Sequence, residues 1–199
     1  DGLMTGIFLD QHEVRDGLVN GLALGKSVLN MFSYTAAFSV AAAMGGAVET
    51  TSVDLAKRSR ELSTAHFEAN GFSMGNHRLV VMDVFDYFKY AKKKGLSYDL
   101  IVIDPPSFAR NKKRTFSANK DYHKLIAQSL DILSEHGTII ASTNAANMTV
   151  QQFKKQLRKG LGDVSADFVN LQQLPADFTV NPNDPTSNYL KVYTIKVNK

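Results

Sequence analysis

Cysteine is absent from all 199 residues. Disulfides, thiolate metal sites and a cysteine nucleophile are therefore excluded within this chain. No run of eighteen apolar residues occurs, so no segment reads as a transmembrane helix. The start, Asp1-Gly2-Leu3-Met4-Thr5-Gly6, has neither a basic n-region nor an apolar h-region and does not read as a signal peptide. It also lacks an initiator Met, which fits the C-terminal fragment of a longer protein. His12, His66, His77, His123 and His136 show no metal-ligand spacing, so no metal is assigned.

What is present is an ordinary globular balance. Hydrophobic residues make up 44% and charged residues 21%, enough for one domain with a real core. The formal net charge of +4 and pI near 9.2 are compatible with a nucleic-acid partner. A cytoplasmic location fits this composition.

Short apolar runs alternate with helical patterns, which predicts an α/β fold with a parallel sheet covered on both faces. Strands are expected at residues 7–9, 27–32, 47–53, 79–82, 100–103, 138–142, 168–171 and 189–197. Helices are expected over 14–24, 36–44, 55–70 and 85–94. The third of these should bury Leu55, Leu62, Ala65 and Ala69. Tyr122, Leu125, Ile126, Ser129, Leu130 and Leu133 form one stripe of a further helix, ended by Gly137. Thr149 can cap another, with Val150, Phe153, Leu157 and Leu161 as its apolar face. The connection between the last two strands is rich in Pro and Asn and suits no helix, so those strands should pair antiparallel.

The most informative stretch is Asp104-Pro105-Pro106-Ser107-Phe108, which closes the strand candidate ending at Ile103. The prolines stop the strand and leave carbonyls free as acceptors. In open α/β sheets this carboxyl end is where ligands bind. A carboxylate, rigid carbonyls and an aromatic ring meet there, a set that can hold a flat ring bearing an amine. A loop with a capping Asp and turn prolines would give the same letters.

Asn30, Asp54, Asp83 and Asp104 end successive strand candidates. Any one of them could be a helix cap. Four at one sheet edge is a stronger pattern. Asp54 is spaced to accept from two vicinal ribose hydroxyls. Asp83, with the backbone of Val84, lies where an adenine amine could be read. Phe32-Ser33-Tyr34-Thr35-Ala36 forms a loop opening a helix, where small residues let the backbone approach a cofactor. No G-x-G-x-x-G follows the first strong strand, which argues against NAD or FAD. A cofactor with ribose and adenine but no phosphate, S-adenosylmethionine, needs no such glycines.

Several stretches carry a family resemblance. They are Thr5-Gly6-Ile7-Phe8-Leu9-Asp10-Gln11, Val28 through Phe38, Val53-Asp54, Asp83-Val84-Phe85, Asp104 through Phe108, Lys120-Asp121-Tyr122 and Asn188-Tyr189-Leu190-Lys191. In order along nearly the whole chain, they resemble class I S-adenosylmethionine-dependent methyltransferases. The likeness is narrower to the catalytic domain of bacterial 23S ribosomal RNA large-subunit methyltransferases with an N-terminal PUA domain. The resemblance implies a Rossmann-like fold, with a doubly wound, mostly parallel seven-stranded sheet and an antiparallel last strand. It assigns Asn30, Phe32, Ser33, Tyr34, Thr35 and Ala36 to the methionine part of S-adenosylmethionine. Asp54 falls to its ribose, Asp83 and Val84 to its adenine. Asp104, Pro105, Pro106 and Phe108 face the substrate, with Asp104 shared between the two. Ala36 departs from the glycine usual in the family. The region after the fifth strand, Ala141 through Asn147, lacks the Cys found in members that methylate cytosine C5.

Arg110, Lys112, Lys113 and Arg114 follow the corner directly. Such a run can be a solvated face, but beside a base pocket it can hold RNA phosphates. Phe108 or Phe116 could stack on a splayed-out base. The expected function is methyl transfer to a base in RNA, 23S ribosomal RNA by resemblance. An NAD-dependent oxidoreductase and a non-catalytic RNA-binding module are the rival readings.

Overall fold

The structure, a computed structural model, describes residues 6–110 and 114–199. A 3-10 turn, Leu9–Gln11, leads into α1, His12–Gly17, which continues as a wider turn to Leu22. Then come β1, Ser27–Met31, α2, Ala37–Met44, β2, Glu49–Asp54, α3, Lys57–Ala69, β3, His77–Val81, and α4, Val84–Lys94. After β4, Tyr98–Ile103, a hairpin of β5, Phe108–Arg110, and β6, Thr115–Ser117, precedes α5, Ala118–Leu130. The chain ends with β7, Leu133–Thr143, α6, Val150–Leu161, β8, Ser165–Gln172, and β9, Lys191–Asn198.

Seven strands form one sheet in the order β3-β2-β1-β4-β7-β9-β8. The first five run parallel, and β9 pairs antiparallel with both β7 and β8. The expected doubly wound, mostly parallel sheet with an antiparallel last strand is thus the observed fold.

Alternation along the strands builds two cores. Leu29, Met31, Ile101, Ile103, Ile139 and Ala141 face α4, α5 and α6. Val28, Leu100, Val102 and Ile140 face α1 and α2, against Val14, Leu18, Phe38 and Ala41. Burying each such branched or aromatic side chain is worth about 1.5–3 kcal/mol. Thr149 caps α6 in a reciprocal pair with Gln152, and Phe153, Leu157 and Leu161 are buried as expected.

Three local expectations are corrected. Residues 7–9 are not a strand; they enter the 3-10 turn. The expected face of α3 is the solvent face: Leu55 and Leu62 are exposed, while Ser59, Ser63 and Phe67 are buried. Phe67 draws the helix inward by packing on Ala36, Val40 and Ala43 and stacking on His77 at 4.6 Å. Gly137 does not end α5. That helix stops at Leu130, and Gly137 lies inside β7, where the ladder with β4 is interrupted between Tyr98 and Leu100. A Cβ on Gly137 would sit 2.5 Å from the Leu133 side chain, so packing within the strand requires the glycine.

Gly160 sets the approach of α6 to α5. A Cβ there would lie 2.6 Å from the His123 carbonyl oxygen and 2.6 Å from Ile126 Cβ. Gly160→Ala gains helix propensity but forces the helices apart, so it should destabilise by about 1–2 kcal/mol in urea unfolding. A more stable variant would contradict this packing.

Candidate functional site

The parallel strands end along one edge, and a cavity of about 540 Å³ opens there. That is within the range of small-molecule sites. Phe32, Ser33, Tyr34, Thr35, Asp54, Asp83, Val84, Asp104, Pro105 and Pro106 line it together. Asn30 and Ala36 stand behind the wall, and Phe108 stands outside it.

The first loop is unusual backbone. Phe32, Tyr34 and Ala36 have φ of 59°, 48° and 62°, all in the left-handed region. Each costs a non-glycine residue about 1–2 kcal/mol. Specific bonds hold the loop in this form. Ser33 N–H donates to the Val53 carbonyl at 3.0 Å, Tyr34 N–H to Asp54 Oδ2 at 2.9 Å, and Ala36 N–H to the Ser33 carbonyl at 2.7 Å. Asp54 Oδ1 accepts from Ala56 N–H at 2.8 Å. Asp54 is therefore a brace for the loop as well as part of the wall. Asn30 is fully buried; its amide donates to Ser39 Oγ at 3.0 Å, and its Oδ1 has no partner among the described residues.

Asp83 caps α4, accepting from the N–H groups of Phe85 and Asp86 at 3.0 and 3.3 Å, and still lines the cavity. The hairpin turns Ala109 and Phe116 to the cavity, with the Phe116 ring near those of Phe32 and Phe85. Phe108, 61% exposed, lies outside the lining. Arg110 is exposed at the rim. Arg114 is engaged, bonded to Asp86 at 2.7 Å and set over the Phe85 ring at 5.0 Å. Lys112 and Lys113 lie outside the described residues.

At the corner, Asp104 accepts from Ser142 Oγ and, at 2.9 Å, from Gln11 Nε2. Burial raises its pKa above the ordinary 3.8; those two hydrogen bonds oppose the rise and the nearby Asp10 adds to it. Tyr122, on the apolar stripe, is core: its buried hydroxyl spans the carbonyls of Ile103 and Ser142 at 2.9 and 2.8 Å and ties β4 to β7.

Sequence reasoning gave no role to the segment before α1. Ile7, Phe8, Asp10 and Gln11 all line the cavity, as does Arg15 of α1. Gln11 reaches Asp104 across 93 positions, and Tyr189 donates to Asp10 at 3.0 Å. Asp10 Oδ1 and Gln11 Oε1 are buried acceptors without partners among the described residues. The only trace in the sequence was their place in a matched stretch, because a short irregular segment carries no periodicity.

Two predictions follow from this geometry. At Ala36, glycine would relieve the positive φ, so Ala36→Gly should raise unfolding free energy by about 0.5–1 kcal/mol; a loss in chemical denaturation would contradict the strain. For Asp104, the protonated form is favoured in the folded state. Ionisation therefore costs stability once pH rises past 3.8 and on through the raised native value. Denaturation of Asp104→Asn should show its stability gaining on wild type across that rise, and parallel pH curves would contradict it.

A model of the family "S-adenosylmethionine-dependent methyltransferase" matches residues 2–191. YwbD of Bacillus subtilis, named as a candidate ribosomal RNA large subunit methyltransferase, is 48% identical over 98% of this chain and 50% of its own. Ribosomal RNA large subunit methyltransferase K of Neisseria meningitidis is 36% identical over 88% of this chain and 48% of its own. Among solved structures, SMU.776, described as a candidate methyltransferase complexed with SAH, superposes with a TM-score of 0.96. It is 72% identical, over 99% of this chain and 52% of that one. The chain spans about half the length of these relatives. With a family model spanning nearly all of it and a sheet edge of this architecture, the chain belongs to the S-adenosylmethionine-dependent methyltransferases.

Proposed function

We propose that this chain is the catalytic domain of an RNA methyltransferase that modifies a base in large-subunit ribosomal RNA. The observation that carries the reading is the acceptor-rich edge. Asp54, Asp83 and Asp104 line one cavity, and Asp10 Oδ1 and Gln11 Oε1 are buried there without partners among the described residues. Unmet acceptors suit a ligand bearing positive charge and N–H groups. S-adenosylmethionine is such a ligand, and when bound it supplies a methyl group on a sulfonium.

The residues divide the work. Asp54 accepts from the ribose hydroxyls while bracing the Phe32–Ala36 loop behind the methionine part. Asp83 and Val84 flank the adenine. Asp104 and the Pro105 carbonyl orient the nucleophile, with Gln11 and Ser142 fixing the carboxyl. Their contribution is alignment for in-line displacement, with an acceptor for the nucleophile's proton. Phe108, exposed beside the cavity, is placed to stack on a neighbouring base. Arg110, with Lys112 and Lys113, supplies phosphate contacts. The RNA substrate follows the names of the relatives, and a cytoplasmic location follows from that substrate. No helix among the described residues is long and apolar enough to cross a membrane.

The nucleophile we infer is a ring or amino nitrogen. Methylation at cytosine C5 uses a thiolate that attacks C6, and this chain has no cysteine. Incubation with labelled S-adenosylmethionine and deproteinised 23S ribosomal RNA, then nucleoside digestion, should give label in an N-methylated nucleoside. Label in 5-methylcytosine would overturn the nitrogen assignment, and no label in RNA would overturn the function. In binding assays, Arg110→Ala with Lys112→Ala and Lys113→Ala should reduce the salt slope of RNA affinity by about two to three. An unchanged slope would make the run a solvated surface.

A further inference from the structure

Lys191 opens β9 and is 4% exposed. Its ammonium donates to the carbonyls of Ala145 at 3.0 Å and Tyr189 at 2.9 Å. No carboxylate partners it among the described residues. Burial accordingly lowers its pKa. A buried cation held only by neutral carbonyls is costly, and an apolar side chain of similar length would fill the same space without that cost. The position of its two acceptors gives a reason for the charge.

The Ala145 carbonyl belongs to the segment that leaves β7 at the cavity. Lys191 pairs across the ladder with Thr143, whose hydroxyl accepts from Ala145 N–H at 3.3 Å. The Ala145 carbonyl also accepts from Met148 N–H at 3.1 Å. Ser142, just before, bonds Asp104. Within this pinned segment, Asn144 is exposed, lines the cavity, and its side chain takes no hydrogen bond among the described residues. The second acceptor, Tyr189, carries the hydroxyl that donates to Asp10 on the opposite stretch of wall. One ammonium therefore ties together two parts of the cavity, and Asn144 is the polar side chain left over.

We propose that Asn144 reads the edge of the target base and that Lys191 is the positioning residue that holds it in place. The amide offers an acceptor beside two donors, which suits a nucleobase edge presenting a donor next to an acceptor. The proposal rests on the reading that an RNA base enters this cavity.

Steady-state methylation of RNA by wild type, Asn144→Ala, Asn144→Asp and Lys191→Met tests it, together with SAH affinity and hydrogen exchange of residues 143–149. Both Asn144 variants should lose about tenfold or more in kcat/KM for RNA, with SAH affinity within about twofold of wild type. Asp, which cannot donate, should not rescue. Lys191→Met should show the same RNA-side loss and faster exchange confined to 143–149. Wild-type kinetics in Asn144→Ala would overturn the role of Asn144. Unaltered exchange in Lys191→Met, or a loss of SAH affinity matching its loss of RNA turnover, would overturn that of Lys191. Absence of RNA methylation by wild type would instead overturn the proposed function and the Asn144 assignment with it, while the exchange measurement still decides Lys191.

Discussion

The register of the parallel ladder is the constraint on which the site depends. Met31 stands opposite Val53 on one side and Ile103 on the other, Ile103 stands opposite Ala141, and Asp54 opposite Val81. With that row fixed by backbone hydrogen bonds, the residues just beyond it fall along one edge. These are the Phe32 loop, Asp54, Asp83, Asp104 and Ser142. Side chains alternate with period two, so a slip of one residue in any central strand would exchange the residues meant for the two cores and move its edge residue off the line. The two cores, one on each face, are what make such a slip costly.

On this frame the site is built with opposing demands. The loop with three non-glycine residues in left-handed backbone is held by bonds to Asp54 and the Val53 carbonyl of β2 and by one within the loop, from Ala36 N–H to the Ser33 carbonyl. A half-buried carboxyl at the corner has lost enough water to raise its pKa and is held by Gln11 and Ser142. Among the described residues, Asp10 and Gln11 each keep an unpartnered acceptor. Strain and unmet polar groups of this kind cluster where a ligand is expected to complete the structure.

The sequence made the frame legible where local chemistry and tertiary context agree. Strand runs ending in Asp, the Thr149 cap and the inward face of α6 were readable because each is a local pattern. Tyr122 was readable as core by its stripe, though its bridge between β4 and β7 was not. The burial face of α3 was misread because Leu55 and Leu62 looked apolar, whereas the partner surface selected small serines and Phe67. Gly137 looked like a helix stop because its role, relieving a clash with Leu133 inside a strand, depends on a bulge that no local pattern announces. Of the candidate site, the acidic edge was visible. The segment from Ile7 to Gln11 was not, since its contacts span the length of the chain, up to Tyr189. Ala36 in place of glycine was noted in the sequence, and the structure shows its consequence as positive φ.

The assignment of Asp54 to the cofactor is tested most directly by calorimetric titration of S-adenosylhomocysteine into wild type and Asp54→Ala. Loss of the carboxylate removes charge-assisted hydrogen bonds to the ligand and the brace on the Tyr34 N–H. The account predicts affinity weakened by about 2–4 kcal/mol. Equal affinity in the two proteins would contradict it.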